Sequence, residues 1–156
     1  MSTTTETHAA VHSSFRIERH YEAPPSRVFF AFSDTASKRR WLVEGEGFEV
    51  FDHQADFRVG GHEISRFRFG EGPEIINETV YQDIVPDQRI IYSYRMAMGD
   101  EPMSASLTTI EFTPAEGGTL LVLTEQGAYL DGRDDGTGRE EGTRGLLEIL
   151  AKEVEG

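Results

Sequence analysis

One amphipathic segment closes this chain, and nothing helical of comparable length precedes it. That pairing limits the possible folds more than any other feature. In REEGTRGLLEILAKEVEG, residues 139 to 156, Thr143, Leu147, Leu150 and Val154 follow the i, i+4, i+7, i+11 spacing of one helix face, with Leu146 and Ile149 beside it. Glu140 with Arg144, Arg144 with Glu148, and Glu148 with Lys152 make i, i+4 pairs on the wet side, each worth a few tenths of a kcal/mol. From Gly47 onward the preceding pattern is almost wholly β: FEVFDHQADF, HEISRFRF, EIINETVYQDIV, QRIIYSYRMAM, MSASLTTIEFTP and TLLVLTEQGA. Turn residues separate them at Gly60-Gly61, Gly70 to Pro73, Pro86-Asp87, Gly99 to Pro102 and Gly117-Gly118, which predicts an antiparallel meander. A lone apolar stripe must be buried, and the concave face of a curved antiparallel sheet is the only large surface on offer. The expected result is a sheet that wraps a helix.

The N-terminal part supplies one more strand. SFRIERHYEA alternates, with Phe15, Ile17, Arg19 and Tyr21 on one face and Arg16, Glu18, His20 and Glu22 on the other. Pro24 and Pro25 then stand where a helix begins, and Val28, Phe29, Ala31 and Phe32 form its apolar stripe. Asp34 or Thr35 caps a second short helix, ASKRRWL, in which Lys38, Arg39 and Arg40 are expected to point to solvent while Trp41 and Leu42 turn inward. Residues 1 to 13, MSTTTETHAAVHS, read as a disordered tail, leaving 14 to 156 as a single α+β domain of seven strands, two short helices and a long terminal helix.

Composition excludes several function classes. No cysteine is present, so disulfides, thiolate catalysis and iron–sulfur sites are ruled out, and a reduced, cytoplasmic setting is compatible. No apolar stretch approaches the roughly 18 residues of a membrane span, and no leader pattern opens the chain, so no membrane insertion is expected. The formal net charge is -13, with 10 acids and 9 bases in residues 1 to 69 against 18 and 6 in residues 70 to 156. Such a surface repels a phosphate backbone, so no nucleic acid is expected as a partner. GTGREEGTRG opens a helix with glycines, but Glu140, Glu141, Asp131, Asp134 and Asp135 oppose a phosphate there.

Five segments in order carry a family likeness: EAPPSRVFFAFSDTASKRRWL, FEVFDHQADFRVGGHE, TVYQDIVPDQRIIYSY, IEFTPAEGGTLLVLTEQG and REEGTRGLLEIL. Over residues 15 to 152 the chain resembles the homologues of the activator of heat-shock-protein ATPase (AHSA-like). That group sits in the START-related SRPBCC superfamily of polyketide cyclases and birch pollen allergen relatives. The resemblance implies a helix-grip fold: a curved seven-stranded antiparallel sheet around a C-terminal helix, with an internal hydrophobic cavity. It also implies binding of lipids, hydrophobic metabolites or partner proteins, and a place in stress response. One departure stands out, since the family often shows His-Glu-Glu-Gly-Trp where this chain has Arg139-Glu140-Glu141-Gly142-Thr143.

The ligand-facing candidates are large apolar side chains: Trp41, Phe48, Phe67, Phe69, Tyr81, Tyr92, Tyr94, Met96, Phe112 and Tyr129, with Leu147 from the terminal helix. The tyrosines bring hydroxyls that need partners when buried, which makes them the ones to orient a ligand. His53 and His62, near Asp52, Asp56 and Glu63, lack ligand spacing and read as exposed polar positions, so no metal and no cofactor are expected. Glu78, Glu111 and Glu125 read as the wet face of the sheet, although one turned inward would serve as a general acid or base. Gly142 and Gly145 cost the terminal helix about 1 kcal/mol each relative to Ala and are expected to leave room for a ligand or a close strand.

The leading expectation is a non-enzymatic protein, monomer or homodimer, that binds a hydrophobic or aromatic small molecule or lipid in an internal cavity. The alternatives are a co-chaperone-like interaction module docking a chaperone or other protein through Lys38 to Arg40 or the acidic last helix, and a cyclase- or hydratase-like enzyme using a cavity carboxylate and tyrosine.

Overall fold

A computed structural model describes residues 8 to 43 and 48 to 156, the side chains of Val43 and Phe48 excepted. Strands β1 (Ala10–Tyr21), β2 (Phe48–Ala55), β3 (His62–Phe69), β4 (Ile75–Val85), β5 (Arg89–Met98), β6 (Glu101–Ala115) and β7 (Gly118–Leu130) form one curved antiparallel sheet in the order β1-β7-β6-β5-β4-β3-β2. β1 and β2 are consecutive in sequence yet occupy opposite edges. The segment between them crosses the sheet as α1 (Pro25–Ser33), α2 (Thr35–Lys38) and a π-helical turn (Arg39–Val43). The chain ends in α3 (Arg139–Glu155).

Each predicted strand is present; most ends differ by one or two residues, and the start of β1 by four. β1 begins at Ala10, paired with Leu130, so residues 10 to 13 belong to the sheet and not to a tail. The pairing partners on β7 are what sequence pattern could not supply for VHS. The turn between β2 and β3 needs both its glycines. Gly60 has φ +82°, and a Cβ on Gly61 would lie 2.1 Å from the Asp56 carbonyl oxygen.

Helix α1 starts with Pro25 in its first turn and buries Val28, Phe29, Ala31 and Phe32, as its spacing predicts. Asp34 caps α2 by accepting from the Ser37 N–H at 3.0 Å. Leu147, Leu150 and Val154 of α3 are buried against Ile17, Tyr21, Leu121 and Ile110 from the sheet, with α1 completing the core. The Tyr21 hydroxyl donates to the Leu147 carbonyl at 2.8 Å, and Arg19 pairs with Glu148 at the same distance. The Glu140–Arg144 pair forms as expected, at 2.8 Å, whereas Glu148 turns to Arg19 on the sheet.

No strand comes close to Gly142 or Gly145: a Cβ at either would meet nothing within 4 Å. Both are exposed. Gly145→Ala therefore adds only helix propensity, and a gain of about 0.5–1 kcal/mol is expected, read as a melting temperature higher by about 1–4 °C. A lower melting temperature would mean that the position is sterically filled.

Candidate functional site

Side chains directly opposite each other in an antiparallel pair share a face, so the register defines the helix-bearing side of the sheet. One row runs Phe15, Glu125, Thr108, Tyr92, Tyr81, and the next runs Gly127, Ser106, Tyr94, Thr79, Glu63. The helix α3 packs against β1, α1 and the π-helical turn. Beyond it, on β3 to β5, Phe67, Asn77, Tyr92, Tyr94 and Met96 are only half-buried. Their accessible surface leaves this part of the inner face open. Across its floor β6 contributes Ser104, Ser106 and Thr108, small side chains between the tyrosines of β5 and the Glu125 and Tyr129 positions of β7.

Two polar clusters flank this open part of the inner face. In the first, Lys38 Nζ donates to Glu63 Oε1 at 2.6 Å and to the Tyr81 hydroxyl at 3.0 Å, and that hydroxyl in turn donates to Glu63. His53 Nε2 lies 2.9 Å from Glu63 Oε2. Burial by itself would raise the Glu63 carboxyl, but the Lys38 charge and the hydrogen bonds from His53, Lys38 and Tyr81 outweigh it and hold the pKa at about 2. An ionised carboxylate only accepts, so His53 Nε2 carries the proton and Nδ1 is left buried without a partner.

The second cluster centres on Glu125, which is 4% exposed. Its Oε2 accepts from the Tyr94 hydroxyl at 2.9 Å and its Oε1 from Thr108 at 3.1 Å. Arg139, at the start of α3, donates to the Tyr94 hydroxyl at 2.9 Å, to Ser104 at 2.7 Å and to Asp134 at 2.7 Å. Its guanidinium also lies 5.3 Å from the centre of the Tyr129 ring. Burial raises the Glu125 pKa, and the bonds from Tyr94 and Thr108 and the more distant Arg139 offset that only in part.

Tyr92 lies between the clusters, its ring 6.0 Å from Tyr81 and 6.1 Å from Tyr94. Burial drives its hydroxyl pKa far above the ordinary tyrosine value, yet the side chain keeps accessible surface. Among the described residues its hydroxyl has no hydrogen-bond partner.

The expected ligand-facing residues therefore divide. Tyr81, Tyr92, Tyr94, Met96 and Phe67 lie on neighbouring strands of the inner face, and Phe69 extends that row to a strand end where it is 58% exposed. Tyr129 folds over Gly127 beneath Arg139. Trp41 and Phe112 pack on Phe32 at ring separations of 5.0 and 5.6 Å, and Leu147 faces the same core. The side chain of Phe48 lies outside the described residues.

Three readings of the sequence need correction. Lys38 does not point to solvent: it is 8% exposed and reaches Glu63 of β3 from the end of α2, while in the turn that follows Arg40 meets Glu153 of α3 and Trp41 donates to the Ala31 carbonyl of α1. His53 and Glu63 are not exposed polar positions but are buried, His53 hydrogen-bonded to Glu63 of the Lys38–Glu63 ion pair. Glu125 is not on the wet face, whereas Glu78 and Glu111 are, Glu78 beside Arg95 at 3.6 Å. Two signals could have found these residues. Strand parity puts Glu63 in register with Phe67, and Glu125 with Leu121 and Leu123.

Shallow depressions of about 660 and 250 Å³ also open on the opposite, convex side, one around His12, Ala105 and Gln126 and the other around His62, Glu78 and Arg95. Neither gathers a comparable set. Among the described residues no three His, Asp or Glu side chains converge on a metal position, and no helix is long and apolar enough to cross a membrane.

A curved seven-stranded antiparallel sheet with a C-terminal helix packed on it defines a helix-grip protein. The model of the activator of Hsp90 ATPase homolog 1-like family matches residues 22–155, and the chain belongs to that family. A solved protein of Rhizobium loti is 59% identical over 93% of this chain and 99% of its own, with a TM-score of 0.86. One from Rhizobium leguminosarum is 40% identical over 96% and 98%, with a TM-score of 0.91. A third, from Chromobacterium violaceum, is 32% identical over 92% and 97%, with a TM-score of 0.77. No curated protein matches the chain at a significant level.

Proposed function

We propose that the protein binds a small hydrophobic or aromatic molecule in the inner recess, with Phe67, Met96 and the Tyr92 and Tyr94 rings against its apolar body. The observation that carries this reading is Tyr92. Its side chain is half-buried and lies between Tyr81 and Tyr94, and its hydroxyl has no protein partner among the described residues. A ligand atom there would take the place of water as its hydrogen-bond partner. The reading is also supported by family membership.

The co-chaperone reading loses its proposed basic docking patch, because Lys38 is paired inside the fold and Arg40 is paired with Glu153. The enzyme reading loses Glu78, which stands on the convex side, but it keeps an inward carboxylate beside a tyrosine in Glu125 and Tyr94.

A thermal-shift screen of lipids and aromatic metabolites tests the proposal. For any compound found, Tyr92→Phe should weaken binding about 5- to 15-fold, the equivalent of one hydrogen bond. The fold itself should be unaffected, since that hydroxyl supports nothing else. A uniformly negative screen, or hits indifferent to Tyr92→Phe, would count decisively against it.

A further inference from the structure

The inner face carries two buried carboxylates whose surroundings differ. Glu63 has a cation at 2.6 Å and two further hydrogen-bond donors. Glu125 has two hydroxyls and, among the described residues, no cation paired with it. The nearest one, Arg139, reaches it only through the Tyr94 hydroxyl and is itself paired with Asp134 at 2.7 Å. Lys38 with Glu63 and Arg139 with Asp134 cancel locally. The uncompensated charge facing the recess is then the Glu125 carboxylate, in a chain of net charge -13.

Other polar atoms around it can accept from the same donor. Tyr92 shares a cross-strand row with Glu125, the two separated only by Thr108. Ser106 Oγ lies near Tyr94 but out of hydrogen-bonding geometry, and it is buried without a partner. These oxygens can all accept, and a carboxylate accepts only. Tyrosine faces complete a surface that suits an organic cation. A bound anion would have to sit against an unpaired carboxylate in a desolvated place.

On the recess reading above, we infer that the ligand is an organic cation: a primary or secondary ammonium on an aromatic or apolar body, its N–H groups donated to Glu125 and to the Tyr92 hydroxyl. The charge selects the ligand and the rings hold its body.

Isothermal titration of the full chain with three matched probes tests this: 2-phenylethylamine, 2-phenylethanol and 3-phenylpropanoate. The amine should bind at least tenfold tighter than the alcohol, and the carboxylate weakest of all. Glu125→Gln, nearly isosteric and still able to accept from Thr108, should erase the preference for the amine and leave the alcohol unchanged. Equal or tighter binding of the alcohol or carboxylate, still weakened by Tyr92→Phe, would overturn the cationic class and leave the recess reading standing. Failure of the amine to bind also overturns it, and failure of all three together with the wider screen removes both. Should Glu125→Gln not fold, the comparison of probes on the unaltered chain decides alone.

Discussion

Lys38→Met is expected to cost about 3–5 kcal/mol of folding stability, the usual penalty for removing one partner from a buried ion pair. The melting temperature should fall by about 6–20 °C in consequence. The penalty arises less from the lost bonds than from what stays behind: Glu63, 7% exposed, would keep a negative charge in the interior with only His53 and Tyr81 to meet it. Combining Lys38→Met with Glu63→Gln removes that stranded charge, so the double variant should recover at least half of the loss in a urea or thermal melt. A single-variant loss below about 1 kcal/mol, the range of exposed pairs, would show that water reaches Lys38 and that the pair is not sealed. The effect should extend to the recess as well. Tyr81 is the hinge of the network and stacks edge-on against Tyr92 at 6.0 Å, so a loosened Lys38 deprives the binding surface of a fixed wall.

What was legible in the sequence follows from what is local. Alternation placed all seven strands, and parity alone put Tyr92, Tyr94 and Met96 on one face of β5, because a strand's period of two needs no knowledge of its neighbours. The stripe of α3 and the caps of α1 and α2 were legible for the same reason. Lys38 was not. A lysine between a serine and two arginines reads as solvated, and only the folded chain brings Glu63 of β3 and Tyr81 of β4 within its reach. His53 was hidden by a register shift between Val50 and Asp52. That shift places Phe51, by alternation on the His53 side, where it is 48% exposed against Arg68, while His53 faces inward beside Ser65. Arg139 was noticed only as a departure from a family motif. Its partners, Tyr94, Ser104 and Asp134, come from separate segments that only the folded chain brings together.

The same two carboxylates make stability depend on pH with opposite signs, and the profile should resolve them. Glu63 titrates in the folded chain at about 2 against an ordinary value of 4.5, a displacement worth on the order of 3 kcal/mol. Its folded pKa is depressed, so its contribution is complete above 4.5 and disappears as the pH falls toward about 2. Glu125 is displaced upward. Its folded state holds the proton more tightly than the unfolded chain, so it favours folding most at pH values below 4.5 and less as the pH rises through its elevated value. Taken from neutral pH downward, stability should first rise as Glu125 protonates and then drop below 4.5 as Glu63 is forced to accept a proton. Denaturant melts across that range on three chains separate the limbs. Glu125→Gln should flatten the upper limb and raise stability at neutral pH, whereas Glu63→Gln should flatten the acid limb and lower stability at neutral pH. A bound ammonium reverses the first of these effects, because it meets the Glu125 charge that folding alone leaves unpaired: with saturating 2-phenylethylamine the unaltered chain should lose its rise toward acid while keeping its fall. Persistence of the rise in the presence of the amine would place the cation somewhere other than Glu125.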